Sequence, residues 1–275
     1  YLMPKFDPLF IYDSYSCREG KGTLFGIKRL EHFIRSCSYN YTRECWVLKL
    51  DIMGYFMSID RWLLYTIIMK QLYRRDFDAE ERGQFEIIKH LIKEVVLHDP
   101  TKNFFTKGDR SAWESLPKSK SLFYARQGCG LPIGNLTSQL FSNIYLNDLD
   151  QFVKRELKCR CYGRYVDDMF FVDCSRKNLL SYIEPVKRFL DEKLHLRLHP
   201  KKVYLQRVNS GIQFLGAYIK GSNRYVSTRC KRLMRENLVY TLCQQENPYL
   251  IVATKNSYKG YLSYFKRCEI NDLLL

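Results

Sequence analysis

The segment 161–173, which reads CYGRYVDDMFFVD, constrains the fold most strongly. Two adjacent carboxylates, Asp167 and Asp168, separate two short runs rich in aromatic and β-branched residues. Such runs favour strands and Asp-Asp favours a turn, so the segment predicts a β-hairpin with both carboxylates at its tip. Adjacent like charges beside apolar strands are costly unless a cation such as Mg²⁺ neutralises them. A bare Asp-Asp pair is more often a solvated turn, and a metal site therefore requires a second acidic motif.

The composition is strongly basic. The 275 residues carry a formal net charge of +16, and the 45 Lys and Arg are interleaved with 21 Tyr and 17 Phe. Cations suit phosphate backbones and aromatic rings suit stacked bases, so the mixture favours nucleic-acid binding over a merely solvated basic surface. The length predicts about two domains or one large lobed domain.

Ten cysteines invite a disulfide or zinc interpretation, but their spacing argues against both. No Cys-x-x-Cys pair and no Cys–His cluster of zinc-finger spacing is present in the sequence. Free thiols in a reducing compartment are therefore expected. No apolar run is long enough for a membrane span and no signal peptide is recognisable, so the sequence predicts a cytoplasmic protein without a membrane partner.

The second acidic motif lies far upstream. Residues 45–52, CWVLKLDI, form a mostly apolar run that predicts a buried strand ending near Asp51. A carboxylate at the end of such a strand also needs a partner. If this strand and the hairpin are neighbours in a sheet, three carboxylates converge. They can then hold two metal ions about 3.5–4 Å apart, as in-line phosphoryl displacement requires.

The rest of the chain predicts mainly helices and turns. Hydrophobic periodicity and the Gly, Pro and Asn positions define these segments. We expect an irregular lead-in over 1–16, a helix with Leu24, Ile27, Leu30, Phe33 and Ile34 on one face, two helical stretches from 60 to 97 split near 76–78, a polar loop over 98–120, helices over 137–152 and 177–193, a basic turn over 197–202, a turn between strands at 211–219, and basic helices from 228 broken at Asn247-Pro248.

Taken in order, these motifs resemble those of reverse transcriptases. Tyr165-Val166-Asp167-Asp168 is similar to the YxDD box, and Leu50-Asp51-Ile52 with Gly54 and Phe56 resembles the first catalytic-Asp motif. Gly134 and Ser138, then Lys201-Lys202, then Phe214-Leu215-Gly216 follow in the family's order. The resemblance implies an α+β fold, a right-hand polymerase with helical fingers elements, a helical thumb, and an antiparallel-sheet palm carrying helices on one face.

The same resemblance implies domains, cofactors and partners. Residues 1–45 would be part of the fingers, 46–222 the palm with fingers insertions at about 61–130, and 223–275 the thumb. The family has further fingers sequence before this start and a longer thumb, so a fragment is expected. A nucleotidyltransferase of this family would use two Mg²⁺ ions, with Mn²⁺ as the alternative. Its substrates would be deoxynucleoside triphosphates, a template RNA and a DNA or RNA primer.

Site residues follow by matching motif positions. The implied metal ligands are the Asp51, Asp167 and Asp168 carboxylates and the Ile52 carbonyl, with Asp168 mainly supporting the hairpin. Lys202, or its neighbour Lys201, is the implied general acid toward pyrophosphate, with a solvated turn lysine as the alternative. The implied nucleotide-binding residues are Arg18 and Lys21 at the triphosphate, Phe56 as a steric gate or plain core residue, and Ile133, Gly134 and Gln139; the implied primer grip is Phe214, Leu215 and Gly216. His195 and His199 are expected to be structural.

A departure from the usual nucleotide-pocket motif indicates a subtype. Most reverse transcriptases have Gln-Gly-x-x-x-Ser-Pro there, whereas residues 133–139 read IGNLTSQ. Together with 14–23 and 256–262, this form resembles the prokaryotic enzymes of diversity-generating retroelements. That implies cDNA synthesis with errors at adenines and a small basic accessory protein. Group II intron, retron and CRISPR-associated reverse transcriptases are alternatives, as is a non-catalytic RNA-binding scaffold of the same fold.

Overall fold

A computed structural model describes residues 1–74, 79–102, 104–105, 113, 116–243 and 248–266. A four-stranded antiparallel sheet has the order β2–β3–β1–β4, and a three-stranded antiparallel sheet has the order β5–β6–β7. The strands are β1 (Trp46–Ile52), β2 (Tyr162–Tyr165), β3 (Asp168–Asp173), β4 (Leu198–Arg207), β5 (Ile212–Phe214), β6 (Ala217–Lys220) and β7 (Asn223–Val226).

Helices surround the two sheets. Their bounds are α1 (Leu2–Phe6), α2 (Thr23–Cys37), α3 (Tyr55–Ser58), α4 (Arg61–Tyr73), α5 (Ala79–Leu97), α6 (Leu136–Gln151), α7 (Arg176–Ser181), α8 (Ile183–Leu194), α9 (Thr228–Cys243) and α10 (Pro248–Leu262). Short 3₁₀ turns lie at Asp7–Leu9, Lys118–Lys120, Leu122–Tyr124 and Val208–Ser210, and a π-helical turn at Phe152–Glu156 continues α6.

The larger sheet confirms the early strand and the hairpin, and it makes them neighbours. In β1, Leu50 pairs with Met169 of β3 on one side and with Val203 of β4 on the other. The β2 and β3 strands form the expected hairpin, because Tyr165 pairs with Asp168. The strand that ends at Asp51 and the hairpin that carries Asp167 and Asp168 are therefore neighbours in the sheet, as a shared acidic site requires.

Side chains alternate across this sheet into two apolar cores, as strand geometry requires. Leu48 and Phe171 face the first core, which α4, α5, α6 and α8 cover. Val47 and Phe170 face the second core, which α2 and the three-stranded sheet cover. Helices α4, α5, α6 and α8, from the segment that the sequence assigns to the palm, thus lie on one face of the sheet. The other face is covered by α2, from the segment that the sequence assigns to the fingers, and α10 contributes to the same core.

Three expectations need correction. The lead-in is helical at α1, because Pro4 lies in the first turn, where its missing N–H costs no intrahelical bond. The helix expected over 177–193 is two helices, α7 and α8, separated at Tyr182. Lys201 and Lys202 lie on β4 rather than in a turn, because β4 is an edge strand, where Pro200 is tolerated.

The remaining segments agree with the sequence where they are described. Helix α2 buries Ile27, Leu30, Phe33 and Ile34 as expected. The α4–α5 junction near 76–78 and Asn247 lie outside the described residues, and the 98–120 loop is described only in part. The cysteines of the described part are free thiols. Among the described helices, none combines the length and the apolar character that crossing a membrane demands.

Candidate active site

The β2–β3 turn holds Asp167 in a constrained position. Tyr165 pairs with Asp168, so Val166 and Asp167 form a two-residue turn, and Asp168 is the first residue of β3. Val166 has a φ of 54°, a left-handed conformation that is uncommon for a β-branched residue. Backbone outliers of this kind concentrate at functional sites. The predicted hairpin tip is thus confirmed for Asp167, and Asp168 lies one position into the strand.

Asp51 joins this pair from the neighbouring strand. It follows Leu50, which pairs with Met169, so Asp51 and Asp168 adjoin each other across the β1–β3 ladder. Burial raises the pKa of Asp167 to about 7, and the negative charges of Asp168 and Asp51 add to this shift. Burial also raises the pKa of Asp168, against the opposing charge of Lys49. The structure thus brings together the three carboxylates that the sequence singled out.

Two lysines partly neutralise this acidic group. The Lys202 ammonium lies 2.9 Å from Asp51 Oδ2, and this hydrogen bond raises the pKa of Lys202. Burial lowers the pKa of Lys49, whose Nζ donates to the Gln213 carbonyl at 2.8 Å. Lys202 is thus the predicted general acid that the structure places directly on a carboxylate of the site.

The donor chemistry fits Mg²⁺, which takes carboxylate and carbonyl oxygens. Asp51, Asp167 and Asp168 offer carboxylates, and Ile52 follows Asp51 on the same strand. Among the residues that the structure describes, no set of three or more His, Cys, Asp or Glu side chains is already assembled around a metal position. The Lys202 ammonium occupies Asp51 Oδ2, so a metal ion that uses this oxygen would displace it.

The raised pKa of Asp167 makes stability depend on pH. Ionising Asp167 costs folding free energy, because its pKa is raised from 3.8 to about 7. This cost is absent below the pKa of Asp167 in the unfolded state. It grows as the pH rises from that value to the pKa in the folded state, and it is complete above the latter. At pH 8, we expect the free energy of unfolding of Asp167→Asn to exceed that of the wild type by about 2–4 kcal/mol. Near pH 4, the two free energies of unfolding should differ little. Urea unfolding in metal-free buffer measures both values.

Exposed Glu184 supplies the control for that experiment, since its side chain is 72% exposed. Glu184→Gln should leave stability nearly unchanged at both pH values. A ligand that binds only the folded state stabilises it, so Mg²⁺ should stabilise the wild type more than Asp167→Asn. Equal stability of Asp167→Asn and the wild type at pH 8 would contradict the electrostatic account.

The two predicted triphosphate cations lie in the N-terminal segment. The Arg18 guanidinium donates two hydrogen bonds to the Asp7 carboxylate, from Nε to Oδ1 at 2.6 Å and from Nη2 to Oδ2 at 3.1 Å. It also donates to backbone carbonyls, and its side chain is 7% exposed. The Lys21 ammonium donates to the Tyr12 carbonyl and lies 4.5 Å from the centre of that ring. Burial, with the charge of Arg18, lowers the pKa of Lys21 to about 8. Both cations brace their own segment, and their role toward a triphosphate stays a prediction.

The predicted nucleotide-pocket turn adjoins the segment that follows Asp51. The Leu131 N–H donates to the carbonyl of half-buried Phe56 at 2.9 Å, which ties the two together. Ile133 is 67% exposed, and Gly134 has a φ of +100°, a conformation that favours glycine. Gln139 lies half-buried in the first turns of α6. The turn is thus tied to the segment after Asp51 through Leu131, and Ile133 is exposed to solvent.

The predicted primer-grip turn lies beside the carboxylates. Phe214 is buried edge-on against Phe170 of β3, with ring centres 5.0 Å apart. Leu215 and Gly216, both at positive φ, form the β5–β6 turn. A cleft of about 410 Å³ separates this turn from the acidic group. Its lining includes Lys49, Asp168, Leu215, Gly216 and Arg229.

A buried ion pair behind the hairpin was missed from the sequence. Arg164 of β2 and Asp150 of α6 are fully buried, with a bidentate contact whose shortest distance is 2.7 Å. Arg164 also donates to the Val166 carbonyl at 2.7 Å, directly before Asp167. The sequence does carry a signal, because an arginine within a buried strand requires a buried partner. Of the two histidines expected to be structural, His195 lies 3.3 Å from Asp60.

Residues 2–219 match the family described as reverse transcriptase (RNA-dependent DNA polymerase). The chain therefore belongs to the reverse transcriptase family, which the antiparallel sheet and its acidic strand ends fit. Among curated relatives, protein YkfC of Escherichia coli strain K12 is 25% identical over 252 residues, covering 78% of this chain and 57% of YkfC.

Two solved telomerase structures share the fold. Telomerase of Candida albicans, in complex with a fragment of telomeric RNA, has a TM-score of 0.50 at 10% identity, covering 98% of this chain and 47% of the telomerase chain. Apo telomerase of Candida tropicalis, truncated from its C-terminal domain, has a TM-score of 0.56 at 12% identity, covering 82% and 44%. The chain thus spans about half the length of these relatives. At these identities, the likeness concerns the fold alone.

Proposed function

We propose that the chain is an RNA-directed DNA polymerase that extends a primer on an RNA template by two-metal nucleotidyl transfer. One observation carries the proposal: Asp51, Asp167 and Asp168 meet where β1 and the hairpin end, and the charges of Asp51 and Asp168 help to raise the pKa of Asp167. Partly buried carboxylates this close together are costly unless they bind cations, because each loses solvation and repels the others. Membership of the reverse transcriptase family supports the assignment.

The residues around the carboxylates have proposed roles. Mg²⁺, when bound, would activate the primer 3′-hydroxyl and neutralise the leaving pyrophosphate, with Mn²⁺ as an alternative. Lys202, once released from Asp51, would donate a proton to the pyrophosphate. Phe56 would close the pocket under the sugar, and the Phe214-Leu215-Gly216 turn would position the primer across the cleft.

We assign domains in the same terms. Residues 1–45 would contribute to the fingers, 46–222 would form the palm with fingers insertions at about 61–130, and 223–275 would belong to the thumb. The proposed site of action is the cytoplasm of a prokaryotic or phage-infected cell, where deoxynucleoside triphosphates and RNA templates are both present.

Primer extension tests the proposed function. The purified chain is incubated with Mg²⁺, deoxynucleoside triphosphates and a labelled DNA primer annealed to an RNA template. We expect template-directed elongation, which stops when EDTA removes the metal. A chain that binds the primer–template without elongating it in either Mg²⁺ or Mn²⁺ would instead be the RNA-binding scaffold.

We further propose that the polymerase belongs to a diversity-generating retroelement, miscopies adenines and works with a small basic accessory protein. The support is the IGNLTSQ turn at 133–139, in which an exposed apolar side chain stands where most family members have Gln. An apolar residue there removes a hydrogen-bonding group from the pocket, which loosens selection of the incoming nucleotide.

Restoring the polar group should raise fidelity. We expect Ile133→Gln to lower misincorporation opposite template adenines by about tenfold, the scale of one hydrogen bond. Sequencing of the cDNA products measures the error rate. Leu136→Gln is the matched control, because Leu136 is 82% exposed in the same turn but outside the predicted pocket. Unchanged adenine errors in Ile133→Gln would count against the link between this residue and fidelity.

A further inference from the structure

A lysine connects the larger sheet to the smaller one beside the carboxylates. Lys49 lies on β1, which runs between β3 and β4. Its Nζ donates to the Gln213 carbonyl of β5 at 2.8 Å. The β5 strand is an edge strand of the three-stranded sheet, and Gln213 directly precedes Phe214-Leu215-Gly216. Lys49 thus links the strand that carries Asp51 to the strand that leads into this turn.

Lys49 and the acidic side chains share one face of the larger sheet. Side chains alternate along a strand, so Lys49 and Asp51, two positions apart on β1, lie on the same face. Phe170 of β3 pairs with Lys49, and Asp168 lies two positions before Phe170. Burial lowers the pKa of Lys49, and the charges of Asp168 and Asp51 oppose this shift, so both carboxylates lie near the ammonium. The three-stranded sheet covers this same face.

The Lys49 ammonium nevertheless forms no ion pair with these carboxylates. Among the residues that the structure describes, no carboxylate oxygen lies within 4.0 Å of its Nζ, whereas the Lys202 ammonium lies 2.9 Å from Asp51. A lysine that served only to neutralise charge would be expected on a carboxylate, where both partners of the hydrogen bond are charged. Lys49 donates to the backbone of β5 instead. Its contact is therefore a tether between the two sheets.

The tether crosses open space. Lys49 and Gln213 line two cavities, one of about 410 Å³ that extends to Asp168 and one of about 330 Å³ that extends to Tyr204 and Gln206. With a cavity on each side, few packing contacts hold β5 against β1 at this point. The Lys49 hydrogen bond therefore supplies much of the local restraint on β5.

We propose that Lys49 is a positioning residue for nucleotidyl transfer: its ammonium holds the β5 carbonyl, and with it the Phe214-Leu215-Gly216 turn, at a set distance from the carboxylates of β1 and β3. The role of this turn toward a primer rests on the proposed polymerase function. The tether itself rests on the hydrogen bond, the shared face and the two cavities. Releasing it lets the turn shift relative to the carboxylates, and a misplacement of about 1 Å costs about a hundredfold in rate.

Single-turnover primer extension tests the positioning role. The chain is used in excess over labelled primer–template, at saturating Mg²⁺ and deoxynucleoside triphosphate. We expect Lys49→Met to lower the saturated rate constant by about tenfold to a hundredfold, with KM for the triphosphate within about twofold of the wild type. Lys49→Arg keeps a charged N–H donor and should recover most of the rate. Partial unfolding alone would raise the amount of chain needed for saturation and leave the saturated rate constant unchanged.

Lys154→Met is the matched control. Lys154 is also half-buried and also donates to a backbone carbonyl, that of Arg160 at 2.7 Å, but it lies outside the active site. It should extend primers like the wild type. A Mg²⁺ titration separates the tether from charge alone, because removing a nearby cation strengthens metal binding. A lower half-saturating Mg²⁺ concentration with an unchanged saturated rate in Lys49→Met would overturn the proposal, as would no recovery of rate in Lys49→Arg.

Hydrogen exchange follows the tether without catalysis. In Lys49→Met, the backbone amides of residues 212–219 should exchange about fivefold to tenfold faster than in the wild type, the scale of one hydrogen bond. The amides of the β2–β3 hairpin should keep their wild-type rates. Unchanged exchange over 212–219 in a chain that extends primers would overturn the tether alone. Faster exchange in a chain whose wild type does not extend primers would refute the polymerase function and leave the tether standing.

Discussion

Replacing either Asp51 or Asp167 by Asn is expected to reduce primer extension by at least about a thousandfold. Both residues stand where the strand ends meet, and the charge of Asp51 helps to raise the pKa of Asp167. Asn preserves the shape of the side chain and can accept a hydrogen bond, but it brings no negative charge to a metal ion. The loss should therefore appear in the rate of elongation, measured by single-turnover extension at saturating primer–template.

Asp168→Asn should cost less, about tenfold to a hundredfold, because Asp168 begins β3 and faces Lys49. The matched control is Asp148→Asn. Asp148 is another carboxyl whose pKa burial raises, but it lies on α6 opposite Lys70 and Arg74. It should extend primers like the wild type. Elongation that survives Asp167→Asn would show that the active site lies elsewhere.

The same substitution separates loss of chemistry from loss of structure. Asp167→Asn removes a carboxylate whose ionisation destabilises the folded protein above its raised pKa of about 7. The variant should thus be more stable and yet inactive. If the substitution that most reduces activity also stabilises the fold, the wild-type carboxylate lowers stability because cation binding requires it.

The local elements of the site could be predicted from the sequence because their causes are local. The apolar run before Asp51 and the aromatic runs around Asp167 define strands by composition, and Asp-Asp defines the turn between them. The pairing of β1 with β3 could not be derived in this way. It depends on register between segments far apart in the chain, which hydrophobic pattern restricts but does not determine.

Partners of charged groups were the hardest part to predict. Lys202 was expected in a turn because Pro200 is nearby, but an edge strand tolerates proline and places Lys202 on Asp51. Arg18 was matched to the triphosphate, yet its fork engages Asp7. The sequence shows that a charge needs a partner, and only the packed chain shows which one.

Arg164 is the clearest case of a charge whose partner is essential, and Arg164→Met should lower the free energy of unfolding by about 3–5 kcal/mol. The substitution removes a guanidinium with no solvent exposure and leaves the Asp150 carboxylate buried. Tyr162 alone would still donate to that carboxylate, at 2.7 Å. Urea unfolding at pH 7 measures the loss. Arg207→Met is the control: Arg207 pairs with Glu44 at the surface and should contribute less than about 1 kcal/mol.

A double-mutant cycle separates the burial of a lone charge from the value of the pair. Arg164→Met and Asp150→Leu should each be strongly destabilising, whereas the double variant should recover much of the loss, because no uncompensated charge remains buried. Additive losses would contradict this account.

Stability and activity should nevertheless diverge in the double variant. Arg164 also holds the Val166 carbonyl at 2.7 Å, and without that bond the left-handed turn that positions Asp167 loses its support. Primer extension should therefore stay low even where folding recovers, so Arg164 acts as a positioning residue for the catalytic hairpin.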